Sequence, residues 1–76
     1  MKELLEYIAK ALVDYPEQVD VRQVDGERSI ILELRVDPDD MGKIIGKQGR
    51  IIKAIRVVVG AAAIKEEKRV MVEIMQ

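Results

Sequence analysis

A 76-residue chain with neither Cys nor His can be held together only by what it buries. No disulfide and no thiolate metal site is available to staple it, and the core of so short a chain is thin. Apolar residues make up 49 % of the sequence, yet Tyr7 and Tyr15 are the only aromatics. The fold must therefore be written in the spacing of Leu, Ile, Val and Ala, and the length allows one domain, residues 1–76.

Residues 2–14 carry Leu4, Leu5, Ile8 and Leu12 at helical spacing, with Ala9 and Ala11 filling in and Glu6 four residues ahead of Lys10. Pro16 closes this helix by pushing the residue before it out of the helical region. Val19 and Val21 alternate with polar residues, and Val24-Asp25-Gly26-Glu27 predicts a tight hairpin turn with positive φ at its centre. Ile30, Leu32, Leu34 and Val36 then line one face of a second strand, with Glu33 and Arg35 on the other.

Asp37-Pro38-Asp39-Asp40 marks a helix start: a capping acid, proline at the first helical position, and two acids at the positive end of the dipole. Met41, Ile44 and Ile45 form the stripe of a short second helix that stops at Gly46. A third helix is expected from about Arg50 to Ile64, with Ile51, Ile55, Val58 and Ala62 on its stripe and Ile52 and Val59 beside it. The run Val57-Val58-Val59-Gly60 lowers helix propensity, but Ala61-Ala62-Ala63 restores it, and Gly60 permits close packing. Val70, Val72 and Ile74 alternate as a third strand.

The order is α-β-β-α-α-β. A hairpin makes the first two strands antiparallel, and a helical crossover makes the second and third parallel. The expected fold is α/β: an α+β two-layer sandwich, a three-stranded mixed sheet with three helices on one face.

Enzyme chemistry has little to work with. Ser29, in the hairpin, is the only Ser, and there is no Thr. With Cys and His also missing, no nucleophile–base pair of the hydrolase kind can be assembled, and no metal or other cofactor is expected. The N-terminus is too acidic for a signal peptide, and the longest uncharged run, Val57 to Ile64, is eight residues, too short for a membrane span. A cytoplasmic location and no membrane partner are expected.

Charge is segregated. Residues 1–40 hold five bases and eleven acids, residues 41–76 eight bases and three acids, so the halves carry −6 and +5 and sum to −1. Between Gly42 and Lys65 there are six bases and no acid, which points to an anionic partner. That stretch contains Gly42-Lys43-Ile44-Ile45-Gly46-Lys47-Gln48-Gly49-Arg50-Ile51-Ile52. Glycines bracket a loop between two helices, so the backbone can turn sharply and a ligand can approach without meeting a Cβ. The loop opens onto a helix N-terminus, which favours an anion, and Lys43, Lys47, Arg50 and Lys53 surround it with positive charge. Arg56, farthest round the helix, reads as an ordinary solvated residue. A phosphate-binding P-loop is excluded, because Gly42 and Gly46 are one residue too close and Gln48 follows Lys47.

The string Ile45-Gly46-Lys47-Gln48-Gly49-Arg50-Ile51-Ile52 resembles the I-G-x-x-G-x-x-I signature of the KH domain family. The element order resembles its type II fold, and the whole chain is similar to the small bacterial proteins made of one KH domain. The resemblance implies that Gly46 to Gly49 clamp the backbone of about four nucleotides of single-stranded RNA. It further implies that Ile45 and Ile52 fix the two helices and help floor an apolar groove for bases. Gly42, Lys43, Lys47, Gln48, Arg50 and Lys53 complete the implied RNA-binding set. The function so implied is that of an RNA chaperone or post-transcriptional regulator of low sequence specificity. A dimer is implied too, either with a second copy or with a larger KH-domain protein, with the contact expected around Val57 and Ala61. The absence of aromatics from the signature fits this family better than RRM or OB readers, which stack bases on aromatic rings.

Overall fold

The strand richest in Ile and Leu takes the centre of the sheet. In the computed structural model, which describes residues 1–76, β2 (Ser29–Arg35) pairs antiparallel with β1 (Asp20–Asp25) and parallel with β3 (Arg69–Ile74), in the order β1-β2-β3. Three helices complete the chain, α1 (Lys2–Leu12), α2 (Met41–Ile45) and α3 (Arg50–Ala62), joined to the sheet through short 3₁₀ turns at Pro16–Gln18, Pro38–Asp40 and Lys47–Gly49. Ile30, Leu32 and Leu34 of β2 are buried, while Ile31 and Glu33 between them are half-buried. Register puts Val21 beside Leu34 and Val72 beside Leu32, so all three strands offer the same face to the helices. Leu5 and Ala9 of α1, Ile44 of α2, and Ile52, Ile55 and Val59 of α3 close over that face in one cluster. This is the two-layer α+β sandwich that the hydrophobic spacing predicts, in the element order of the type II KH fold that the resemblance implies.

Several local expectations are corrected. α1 ends at Leu12, four residues before Pro16, because Val13 is already extended (φ −98°, ψ 162°). Pro16 instead opens a 3₁₀ turn. The hairpin tip falls at Glu27-Arg28, where the Gly26 N–H donates to the Ser29 carbonyl at 2.7 Å, and Gly26 is not at positive φ. An Asp-Gly pair thus serves as the last paired step rather than the turn itself. Helix α3 runs through the valines and Gly60 but stops at Ala62. Its buried stripe is Ile52, Ile55 and Val59, with buried Ala63 just past its end, rotated from the expected one, and Val58 is 47 % exposed. Spacing alone allowed either stripe, since Ile and Val occupy both. Asp37 caps as expected, its side chain accepting from the Asp39 N–H at 2.9 Å, with Pro38 in the first turn. No helix is long and apolar enough to cross a membrane.

Gly60 was expected to permit close packing, but a Cβ placed there meets nothing within 4 Å. Only the entropic cost of a mid-helix glycine remains, so Gly60→Ala should raise unfolding stability by about 0.4–1 kcal/mol. Urea denaturation at constant m-value tests this, and a loss of stability would mean that helix α3 needs the glycine.

Candidate nucleic-acid interface

α2 and α3 meet at a corner that only glycine can make. Gly46 ends α2 with φ 74° and ψ 173°, a region closed to residues bearing a Cβ. The side chain of Ile51 lies directly against it: a Cβ on Gly46 would sit 2.5 Å from Ile51 Cγ1. Gln48 (φ 58°, ψ 24°) and Gly49 (φ 74°, ψ 16°) then adopt the left-handed conformation. The Gly49 N–H donates to the Gly46 carbonyl at 3.1 Å, and that of Arg50 to the Lys47 carbonyl, which closes the loop onto the start of α3. Gly49 is required for its conformation alone, since its nearest neighbour to a Cβ would be Ile52 Cγ2 at 3.9 Å. Gln48 is the only non-glycine residue with positive φ. Lys47 and Gln48 point away from the core and are exposed, and Gly42 has open space where a Cβ would stand.

Positive charge surrounds this corner unevenly. Lys47, Arg50, Lys53 and Arg56 are all exposed and none lies within ion-pair distance of a carboxylate. Lys43 differs. Its Nζ is 2.9 Å from Asp14 Oδ2 and 3.5 Å from Asp40 Oδ1. The Asp14 hydrogen bond, against the opposing effect of partial burial, raises the Lys43 pKa, and Asp40 adds to the rise. The expectation that Lys43 contributes free charge beside the loop is therefore corrected: its charge is answered within the protein.

From the corner, a groove follows the open edge of β3. Near the loop it is an apolar hollow of about 390 Å³, walled by Met41 and Ile45 of α2, Val36, Pro38 and Met75. Farther along, a hollow of about 300 Å³ lies between Arg56 and Val59 of α3 and residues 69–73 of β3. Ile45 is 37 % exposed and contributes surface, whereas Ile52, at 6 %, supports the groove from within the core. The loop and its basic flank thus adjoin the apolar hollow, and a second hollow with charged residues in its wall lies farther along the same strand.

A family model described as "KhpA/KhpB, KH domain" matches residues 2–74. The chain belongs to the KhpA/KhpB KH-domain family. It is 72 % identical over 75 residues to a protein of Clostridium perfringens named RNA-binding protein KhpA, covering 99 % of this chain and 100 % of that one. A protein of the same name from Clostridium acetobutylicum is 69 % identical with the same coverage, and one from Aquifex aeolicus is 46 % identical, covering 100 % of this chain and 96 % of that one. These relatives are named for binding RNA and not for a reaction. No solved structure matches the chain.

Two residues of this KH domain matter in ways that the sequence did not reveal. Asp40, read as a dipole-capping acid, is fully buried. Its Oδ1 accepts from the Asp14 N–H at 3.1 Å and its Oδ2 from the Tyr15 N–H at 3.0 Å. Burial alone would raise its pKa, but these two amides and Lys43 outweigh it and hold the carboxyl below its ordinary value. Asp40 thereby ties the segment just after α1 to the start of α2 and engages two amides that a longer α1 would have bonded within itself. Arg56, read as solvated, donates through Nε (3.2 Å) and Nη2 (3.1 Å) to the Val72 carbonyl on β3. No local pattern announces either contact, because the partners are 26 and 16 residues away in sequence.

The two loop glycines should respond differently to substitution. Gly46→Ala meets both a forbidden conformation and Ile51, and is expected to cost about 3 kcal/mol. Gly49→Ala meets only the left-handed penalty of about 1–2 kcal/mol. Equal losses in chemical denaturation would show that the Ile51 contact is unimportant.

Proposed function

We propose that the chain is a single KH domain that binds single-stranded RNA, acting as an RNA chaperone or post-transcriptional regulator of low sequence specificity. The RNA backbone lies on Gly46-Lys47-Gln48-Gly49 and the bases enter the groove along β3. The observation that carries this reading is the corner itself. Two helix ends converge on an exposed glycine-bounded loop, whose outward residues are Lys47 and Gln48 and whose next helix begins with Arg50 and Lys53. A helix N-terminus with unpaired cations beside it attracts phosphate, and the apolar hollow next to the loop, with the more polar one beyond it, accepts bases without aromatic stacking. Gly42 leaves the approach along α2 open. Ile45 offers apolar surface to a base, and Ile52 stiffens the wall behind it. Lys43 holds α2 against the Asp14 loop and shapes the approach from that side.

Contacts to three or four phosphates give a weak, salt-sensitive complex, with a log–log slope of roughly −2 to −3. Replacing Lys47 and Gln48 together by Asp should abolish binding of a labelled single-stranded RNA and leave the circular dichroism spectrum unchanged. A folded double variant with parental affinity would refute the loop assignment.

A second role is favoured by the far side of the helical layer. Leu4, Tyr7, Leu12, Ile51 and Val58 line an apolar hollow of about 500 Å³ between α1 and α3. Tyr7 is 75 % exposed, and Val57 beside this surface 71 %. Pairing with a second copy, or with a larger KH-domain protein, covers this face and joins two weak RNA sites into one stronger one. The contact expected around Val57 and Ala61 moves toward α1 and Val58 in this reading. Sedimentation of the chain alone should show a concentration-dependent mass that Val58→Glu shifts to the monomer. An unchanged mass in that variant would remove this face from the contact.

A further inference from the structure

The middle of the groove is set by an arginine rather than by the strand edge alone. The Arg69 N–H donates to the Arg28 carbonyl and that of Met75 to the Leu34 carbonyl, so the odd-numbered residues of β3 bond inward to β2. In a parallel pair, the N–H and C=O of the intervening residues Val70, Val72 and Ile74 then face the open edge. Of these three positions, the central carbonyl is already taken: Arg56 Nε and Nη2 both donate to Val72 O, at 3.2 and 3.1 Å. A guanidinium carries five N–H donors and no acceptor. With its Nε side engaged on the strand, its end-on pair, Nη1 and the second Nη2 hydrogen, has no partner in the protein. Arg56 has no ion-pair partner either, although Arg69 and Glu73 flank the same hollow. By register both belong with Ser29 and Glu33 on the sheet face turned from the helices.

Arg56 therefore brings a charged pair of free donors to the wall of the hollow, where an open strand edge would present a donor and an acceptor side by side. We infer that Arg56 is a specificity-determining residue that favours a base edge with two neighbouring acceptors, guanine O6/N7 or cytosine O2/N3, over adenine and uracil. Adenine alternates acceptor and donor along its edges, and its amino group would seek the Val72 carbonyl that Arg56 occupies. Uracil sets an N–H between its two carbonyls and cannot take both donors. The inference rests on the groove being the base site and adds a preference at one position to an otherwise permissive binder.

Fluorescence polarisation with labelled oligoribonucleotides of equal length tests it: oligocytidylate, oligoadenylate, oligouridylate, and oligouridylate carrying a single guanosine. The parent should bind the cytidine and guanosine probes about fivefold or more tighter than the other two, the lower end of what a bidentate arginine discriminates. Arg56→Lys keeps the charge and Arg56→Gln keeps much of the stem, and folding of both is checked by circular dichroism. Both should level the four affinities, with the salt slope of Arg56→Lys unchanged. A parent without preference overturns the inference even if no variant folds, and so does a folded variant that retains it. A uniform loss on all four probes in Arg56→Gln, with a salt slope shallower by about one, would make Arg56 a phosphate contact and equally overturn it. Failure of the parent to bind any probe through Lys47 and Gln48 is a separate result, which defeats the RNA-binding reading itself and the inference with it.

Discussion

The contact between Gly46 and the Ile51 side chain is the point on which the helical layer turns. A five-residue helix and a thirteen-residue helix must leave a common corner at an angle that lets both Ile44 and Ile52 reach the same core. The chain reverses there within Gly46 to Gly49, and the reversal is tight enough that Ile51 occupies the space where a Cβ would stand. The exposed loop is a consequence of the same turn. With Gly46, Gln48 and Gly49 at positive φ, the backbone between the helices has nowhere to go but outward.

Asp40 connects that corner to the rest of the chain. A carboxylate removed from water needs strong partners, and it finds them in the backbone N–H groups of Asp14 and Tyr15, just beyond α1, and in Lys43. The N-terminal helix is thus fastened to α2 by a buried charge as well as by apolar packing. Lys43, drawn into this node, faces the Asp14 loop, while Lys47, Arg50, Lys53 and Arg56 keep their charges unpaired. The basic half of the sequence therefore yields a basic region only where acids have not reached it.

The helical layer then divides its outer surface by chemistry. Toward β3 it presents Met41 and Ile45, then Arg56 locked on Val72, next to an open strand edge. Toward the opposite side it presents apolar residues of α1 and α3 with little polar decoration. Both surfaces flank α3, so one element is the shared wall of the groove proposed for nucleic acid and of the apolar face proposed for pairing. If both proposals hold, pairing through one surface would join two sites of the other and raise their combined affinity.

Much of this was written in the chain. Alternation fixed the strands and the buried face of β2, the Asp37-Pro38 start placed the second helix, and the glycine spacing placed the loop and its basic flank. These are short-range matters, decided by φ/ψ preferences and by periods of two and 3.6 residues. Tertiary packing decided the rest. It chose the Ile52–Ile55–Val59 stripe over its equally apolar neighbour, tied the segment just after α1 to a carboxylate 26 residues away, paired Lys43 with acids, and set Arg56 on the edge of β3. A side chain's charge and size are properties of the residue. Which partner it meets depends on where distant segments are brought together, and that geometry exists only once the core has closed.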